Sequence, residues 1–171
     1  MGLASDNKEE PNLEHMNMGR WLKGVAIATG IIGALGFFVV LPVYSQIICR
    51  RVPEFAPAAL PWLIFFWVMA VPCYLALYQF WRICCEIGRD NSFCVENVRA
   101  LRRIAALALV DCGICLAGNV LFTVLGYSTA FVFLLFLLIV FIGAVIAVMC
   151  EALARLVDNA SRMKAENDLT I

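Results

Sequence analysis

Charged residues are scarce in this chain of 171 residues, in which Asp, Glu, Lys and Arg make up only 15% and apolar residues make up 63%. Soluble domains average about 25% charged residues, so this chain has too little polar surface for a water-soluble globule. It also has a single histidine, and it lacks HExxH, GxSxG and Walker-type phosphate-binding motifs. We therefore predict that the protein is not an enzyme, that it needs no cofactor and that it does not bind nucleic acid directly.

Four long apolar stretches dominate what is present. A helix needs about 20 residues to cross a hydrocarbon core about 30 Å thick, and each stretch is longer than that. A helix also satisfies its own backbone hydrogen bonds in lipid. The predicted fold is all-α, a polytopic four-transmembrane-helix bundle in the lipid bilayer, with spans at residues 24–46, 58–80, 101–126 and 130–154. Residues 21–155 form this domain, between a mobile tail at 1–20 and a C-terminal helix extension and tail at 156–171.

The basic residues are distributed very unevenly between the two sides of the predicted membrane. Of the 13 Lys and Arg residues, only Arg50 and Arg51 lie in the loop between spans one and two, and all others lie on the opposite side. By the positive-inside rule, both termini and the 81–100 loop are predicted to be cytoplasmic. The expected location is a bacterial cytoplasmic membrane, crossed several times.

Span one carries small residues at intervals of four. The pairs Ala26/Gly30 and Gly30/Ala34, with Gly33 on the same helix, permit close approach of a second helix backbone. The partner is expected to be another helix of the same chain, and a homo-oligomer seam is the alternative. Pro72, in the middle of span two, removes one backbone hydrogen bond and is expected to kink that helix.

Asp111 is the one carboxylate well inside a predicted span, and Asn119 lies two turns further along the same helix. A carboxylate at the centre of a membrane helix costs about 2.5–3.5 kcal/mol on the insertion scale, so Asp111 should face the bundle interior and pair, or be protonated. One interpretation is a hydrogen bond that fixes the register of two helices. The other is a proton or ion site.

The eight cysteines do not follow a metal-binding pattern. Cys49 is alone near the outer side, the others lie within spans or near the cytoplasmic boundary, and no pair of CxxC motifs exists. We predict no metal site and interpret the cysteines as small apolar side chains in the helix packing.

Charges and turn residues indicate where the helices end on the basic side. Gly88 is suited to a helix end and Ser92 to an N-cap, so helix three is predicted to begin near Phe93. Helix four is predicted to continue beyond the membrane, because Glu151 and Arg155 have the i,i+4 spacing of a helical ion pair. Leu153, Leu156 and Val157 continue its apolar stripe.

Three segments together resemble one family. They are Pro72-Cys-Tyr-Leu-Ala-Leu-Tyr-Gln79, the spaced pattern Gly88-x4-Phe93-x3-Asn97-x3-Leu101-x2-Ile104, and the tail Glu166-Asn-Asp-Leu-Thr-Ile171. In this order the chain resembles the bacterial YoaS-like family of four-helix membrane proteins of unknown function. The resemblance extends over nearly the whole chain from span one onward.

The resemblance implies a regulatory role. Members are often encoded beside a small Cro-like helix-turn-helix regulator, which suggests that the membrane protein holds, senses for or antagonises that regulator. The positions that match the family and would contact such a partner are Phe93, Asn97, Leu101, Ile104, Asp168, Leu169 and Ile171.

Two further functions remain open. The first is a small transporter or permeation subunit that uses Asp111 and Asn119, for which the Pro72 kink would serve as a hinge. The second is a structural or immunity-type membrane protein. A polar cavity that leads from Asp111 to one membrane face would favour transport.

Overall fold

The computed structural model describes the backbone of residues 9–51, 56–88 and 94–168, and the side chains of 20–51, 56–88 and 94–163. Every described element is a helix. In chain order these are α1 (Glu9–Leu35), a π-helical turn (Gly36–Val40), α2 (Leu41–Arg51), α3 (Ala56–Ile87), α4 (Val95–Val124) and α5 (Ala130–Asp168).

Four helical segments are long and apolar enough to span a membrane, which confirms the predicted four-span, all-α fold. They cover Arg20–Arg51, Ala56–Ile87, Val95–Val124 and Ala130–Met163. We call the end of the bundle with Lys23, Arg102 and Arg155 the basic end. The opposite end, with the turn between α4 and α5, is the hairpin end.

The helix boundaries differ from the sequence prediction in three places. Residues 9–20 belong to α1 and were expected to be a tail. Pro11 is compatible with this helix because it lies in the first turn, where its missing N–H costs little. Helix α4 has Cys94 as its N-cap residue, instead of Ser92, which is outside the described residues. Helix α4 ends at Val124, two residues before the end of the predicted span 101–126.

The first membrane segment is not a uniform α-helix. The N–H of Leu41 bonds to the carbonyl of Gly36, five residues back, and Pro42 has no N–H to donate. The carbonyl of Phe37 is therefore left without either of its usual backbone donors. The indole Nε1 of Trp67 on α3 donates to this oxygen at 3.3 Å. A side chain of α3 thus supplies the hydrogen bond that lipid cannot supply.

Helices α4 and α5 form a tight antiparallel hairpin and pack more extensively than any other pair. The turn contains Gly126 with φ of 74°, a left-handed conformation that glycine adopts without steric cost. The N–H of Tyr127 bonds back to the carbonyl of Phe122 at 2.9 Å. The short connection at the hairpin end agrees with the prediction from the sequence.

The helices pack in chain order. Among the described residues, α1 contacts α3, α3 contacts α4, and α4 contacts α5, whereas α1 does not reach α4 or α5. An aromatic cluster at the hairpin end joins α3, α4 and α5, in which Trp62 stacks on Phe122 with ring centroids 4.3 Å apart. Phe65 and Phe136 are buried in the same cluster.

The small-residue face of α1 lies against α3 of the same chain. Ala26 is 3% exposed, and the Tyr74 hydroxyl donates to the carbonyl of Gly30 at 3.0 Å. A Cβ added to Gly30 or to Gly33 would lie within 3.2 Å of Leu77 or 3.3 Å of Tyr74. Ala34 lines the groove beside this contact. These contacts lie within one chain, and the homo-oligomer seam stays an untested alternative.

Candidate functional site

Asp111 lies at the contact between α3 and α4. The thiol of Cys73 donates to Oδ2 of Asp111 at a distance of 3.5 Å between Sγ and Oδ2. The second oxygen, Oδ1, is buried and receives no hydrogen bond from the described residues. A thiol is a weak donor, so this carboxyl group is paired across helices but only partly satisfied.

Asn119 faces a different neighbour from Asp111. It is fully buried, and its Nδ2 donates to the carbonyl of Phe133 on α5 at 3.1 Å. The backbone carbonyl of Asn119 accepts a hydrogen bond from the Thr123 hydroxyl at 2.7 Å. Thus Asp111 connects α4 to α3, Asn119 connects α4 to α5, and the structure does not combine them into one site.

The cysteines serve mainly as packing groups. All eight are free, and Cys84, Cys94 and Cys115 are buried. The thiol of Cys112 donates to the carbonyl of Val140 at 3.4 Å. Within the described ranges, no three His, Cys, Asp or Glu side chains come close enough together to hold a metal ion.

A network of charges crosses from α4 to α5 at the basic end. Nη2 of Arg102 on α4 lies 3.6 Å from Oδ2 of Asp158 on α5. Arg162 approaches the same carboxylate at 3.9 Å. The predicted ion pair of Glu151 and Arg155 is confirmed, with Nε 3.2 Å from Oε1.

The residues predicted to contact a partner are not all exposed. Asn97 is only 3% exposed and has an interaction within the fold, so its side chain is not on the surface in this conformation and its contact with a partner stays a prediction. It lies in the first turn of α4, where it faces into the bundle. Leu101 and Ile104 are half-buried. Phe93, Leu169, Ile171 and the side chain of Asp168 lie outside the described residues.

The terminal part of α5 carries exposed apolar side chains that the sequence indicated only in part. Leu156 is 64% exposed and Met163 is 61% exposed. They are seven residues apart and therefore on one face of the helix, about 140–160° from Asp158, which faces α4. The spacing of seven residues from Leu156 could have identified Met163 as part of this apolar stripe, but the residues around Met163 are polar and made the stripe hard to recognise.

Two grooves open on the surface of the bundle. One, of about 610 Å³, lies between α4 and α5 at the basic end and is lined by Arg102, Glu151 and Arg155 together with alanines. The other, of about 420 Å³, lies between α1 and α3 beside Gly30 and Tyr74. Neither groove includes Asp111 or Asn119.

Comparison with known proteins gives consistent results. Residues 46–171 match the family model described as protein of unknown function (DUF2975). The chain is 31% identical over 154 residues to the uncharacterized membrane protein YoaS of Bacillus subtilis (strain 168), which covers 88% of this chain and 96% of that protein. No solved structure matches.

The resemblance seen in the three sequence segments is therefore confirmed. Four membrane-spanning helices and a relative that is itself a membrane protein make this a multi-pass bacterial membrane protein. The matched region includes α3, α4 and α5 in full. This chain belongs to the DUF2975 family of membrane proteins of unknown function.

Proposed function

We propose that this protein is a non-enzymatic membrane regulator whose cytoplasmic end binds a soluble protein, for which a small helix-turn-helix regulator is the proposed class. The observation that carries the proposal is the length of α5, which has 39 residues. At 1.5 Å per residue the helix is about 58 Å long, whereas the hydrocarbon core is about 30 Å thick. A helix that begins at the hairpin end thus extends well beyond the membrane at the basic end.

The chemistry of this extension supports a protein partner. Leu156 and Met163 are largely exposed on the face that turns away from α4. On the opposite face, Asp158 forms an ion pair with Arg102 of α4. An apolar stripe at heptad spacing on a helix is one side of a helix-in-groove contact. Phe93, Leu101, Ile104, Asp168, Leu169 and Ile171 are proposed to extend this surface along the loop and tail.

The proposed orientation places the extension in the cytoplasm. Among the residues that the structure describes, the basic end carries every Lys and Arg except Arg50 and Arg51, and the positive-inside rule assigns such an end to the cytoplasm. A soluble transcription regulator would be available on that side.

The test is a pull-down of the tagged full-length protein from membranes of its own host in mild detergent. Leu156→Gln combined with Met163→Gln should insert normally but lose the co-purified partner, and deletion of residues 166–171 or Phe93→Ala should weaken its recovery. Val124→Gln is the matched control, since Val124 is 79% exposed at the hairpin end. Equal partner recovery from all variants would overturn the proposal.

A permeation subunit is the second candidate function. It is supported by the oxygens Oδ1 of Asp111 and Oδ1 of Asn119, both buried and without a hydrogen-bond donor among the described residues. We expect no proton flux above that of empty vesicles when the protein is reconstituted in liposomes with a pH-sensitive dye. A flux that Asp111→Asn abolishes, at unchanged thermal stability, would place transport ahead of regulation.

A further inference from the structure

We propose that the groove between α4 and α5 at the basic end is a binding site for one anionic glycerophospholipid, which it holds by its phosphate and one acyl chain. This site is separate from the exposed stripe of Leu156 and Met163. The groove is lined by Arg102, Glu151 and Arg155 at one end and by alanines, Leu109 and Val148 along its length.

The shape of the groove fits a hydrocarbon chain. Its floor contains Ala105 and Ala147, which are 6% and 3% exposed. Their small side chains let α4 and α5 approach closely and do not project into the groove. Its walls contain Leu109 and Val148, which are 57% and 69% exposed. Ala106 and Ala152 are exposed at its edge. The result is an apolar channel of about 610 Å³ that opens sideways on the bundle surface.

The charges at the end of the groove fit a phosphate group. Arg102 and Arg162 share the carboxylate of Asp158, whereas Arg155 pairs with Glu151. Among the described ion pairs at this end, three guanidinium groups therefore face two carboxylates, and the balance is one positive charge. The side chain of Arg102 is 52% exposed and that of Arg155 is 74% exposed. A guanidinium has five N–H donors, and one contact to a carboxylate leaves donors for a phosphate oxygen.

The depth of these residues matches the layers of a lipid. Arg102 and Arg155 lie at the ends of the predicted spans 101–126 and 130–154, at headgroup level. Leu109 is seven residues further along α4, about 10 Å deeper at the rise of an α-helix. A phospholipid with its phosphate at the arginines would therefore extend an acyl chain between Leu109 and Val148. Basic pockets between membrane helices bind anionic headgroups in this way.

Native mass spectrometry of the full-length protein tests the proposal. The protein is released from mixed micelles that contain equal amounts of dioleoyl phosphatidylglycerol and dioleoyl phosphatidylethanolamine. We expect the wild type to retain one phosphatidylglycerol in preference to phosphatidylethanolamine. Each arginine should contribute about fivefold to this preference, so Arg102→Gln combined with Arg155→Gln should remove it.

Two further variants separate the headgroup from the groove. Arg103→Gln removes an exposed arginine that does not line the groove, and it should retain phosphatidylglycerol as the wild type does. Ala106→Leu combined with Ala152→Leu fills the groove from its exposed edge and should release the lipid although both arginines remain. This variant also decides the question if the double arginine variant fails to fold.

Three results would overturn the proposal. The first is equal retention of the two lipids by the wild type. The second is unchanged retention when the groove is filled. The third is a lipid-free dimer of the wild type that becomes a monomer in the Ala106→Leu, Ala152→Leu variant, because the groove would then hold a second copy of the chain.

Discussion

Gly118 is the residue at which the packing of α4 on α3 depends most directly on a missing side chain. A Cβ added there would overlap the ring of Phe65, which is buried in the aromatic cluster with Phe122 and Phe136. The ring cannot yield as a flexible side chain would, because neighbouring rings enclose it. Close approach at a glycine is how membrane helices gain van der Waals contact without a hydrophobic driving force.

Gly118→Ala should therefore destabilise the bundle by about 1–3 kcal/mol, the usual cost of overpacking a core. Thermal unfolding of the purified protein in detergent measures this. Gly113→Ala on the same helix is the matched control, because a Cβ there meets nothing within 4 Å and alanine favours a helix over glycine. A drop in stability for Gly113→Ala equal to that for Gly118→Ala would show that contact with Phe65 is not responsible, because the change in helix propensity alone should stabilise both variants.

Asp111 and Asn119 should respond differently to substitution. Asn119 is fully buried and donates to Phe133, so Asn119→Ala removes a hydrogen bond of about 0.6–2 kcal/mol in a membrane protein and leaves a cavity. Asp111→Asn retains an oxygen that can accept from Cys73 and should leave unfolding nearly unchanged. The same thermal assay compares the two variants, and a larger loss for Asp111→Asn would contradict this ranking.

At the scale of the helical element, the first membrane segment depends on a neighbour for its backbone hydrogen bonding. Because of the π-helical turn and Pro42, the carbonyl of Phe37 lacks a backbone donor and accepts a hydrogen bond from the indole of Trp67 instead. π-helical turns are often found at functional sites, and here the turn lies where α1 passes into α2. Its local stability is therefore tied to the contact with α3.

Trp67→Phe should increase amide hydrogen exchange in residues 36–41 while leaving α4 and α5 protected. The expected loss is about 1–2 kcal/mol, the cost of a polar group left unpaired away from water. Trp21→Phe is the control, since Trp21 is 78% exposed and lies far from the turn along α1. Equal exchange in the wild type and Trp67→Phe would mean that the carbonyl finds another donor.

The whole molecule is a row of helices in chain order with one close pair, α4 and α5, at its end. Because the small-residue face of α1 is already covered by Tyr74 and Leu77, a homo-oligomer formed through that face would have to displace α3. The row of helices also places the basic residues of α4 and α5 side by side.

The topology prediction concerns the molecule as a whole and can be tested by thiol labelling of intact cells. Cys94 is a poor reporter because it is 8% exposed and would resist labelling from either side. In a variant without the other cysteines, Cys49 should react with an impermeant reagent. A cysteine introduced by Arg162→Cys should react only after the cells are opened, and the reverse pattern would invert the proposed orientation.

The amino-acid sequence determined the four spans, the hairpin between the last two, the extension of α5 and the family, because these follow from hydropathy, turn residues and local motifs. The carbonyl of Phe37 shows what it could not determine: its donor, Trp67, lies 30 residues away and no local pattern connects them. Likewise, Asn97 matches a family motif but is buried. Asp111 and Asn119 lie on the same helix but form hydrogen bonds with different helices, α3 and α5. Tertiary packing decided these features, because the rotation of each helix about its axis depends on contacts with the helix beside it.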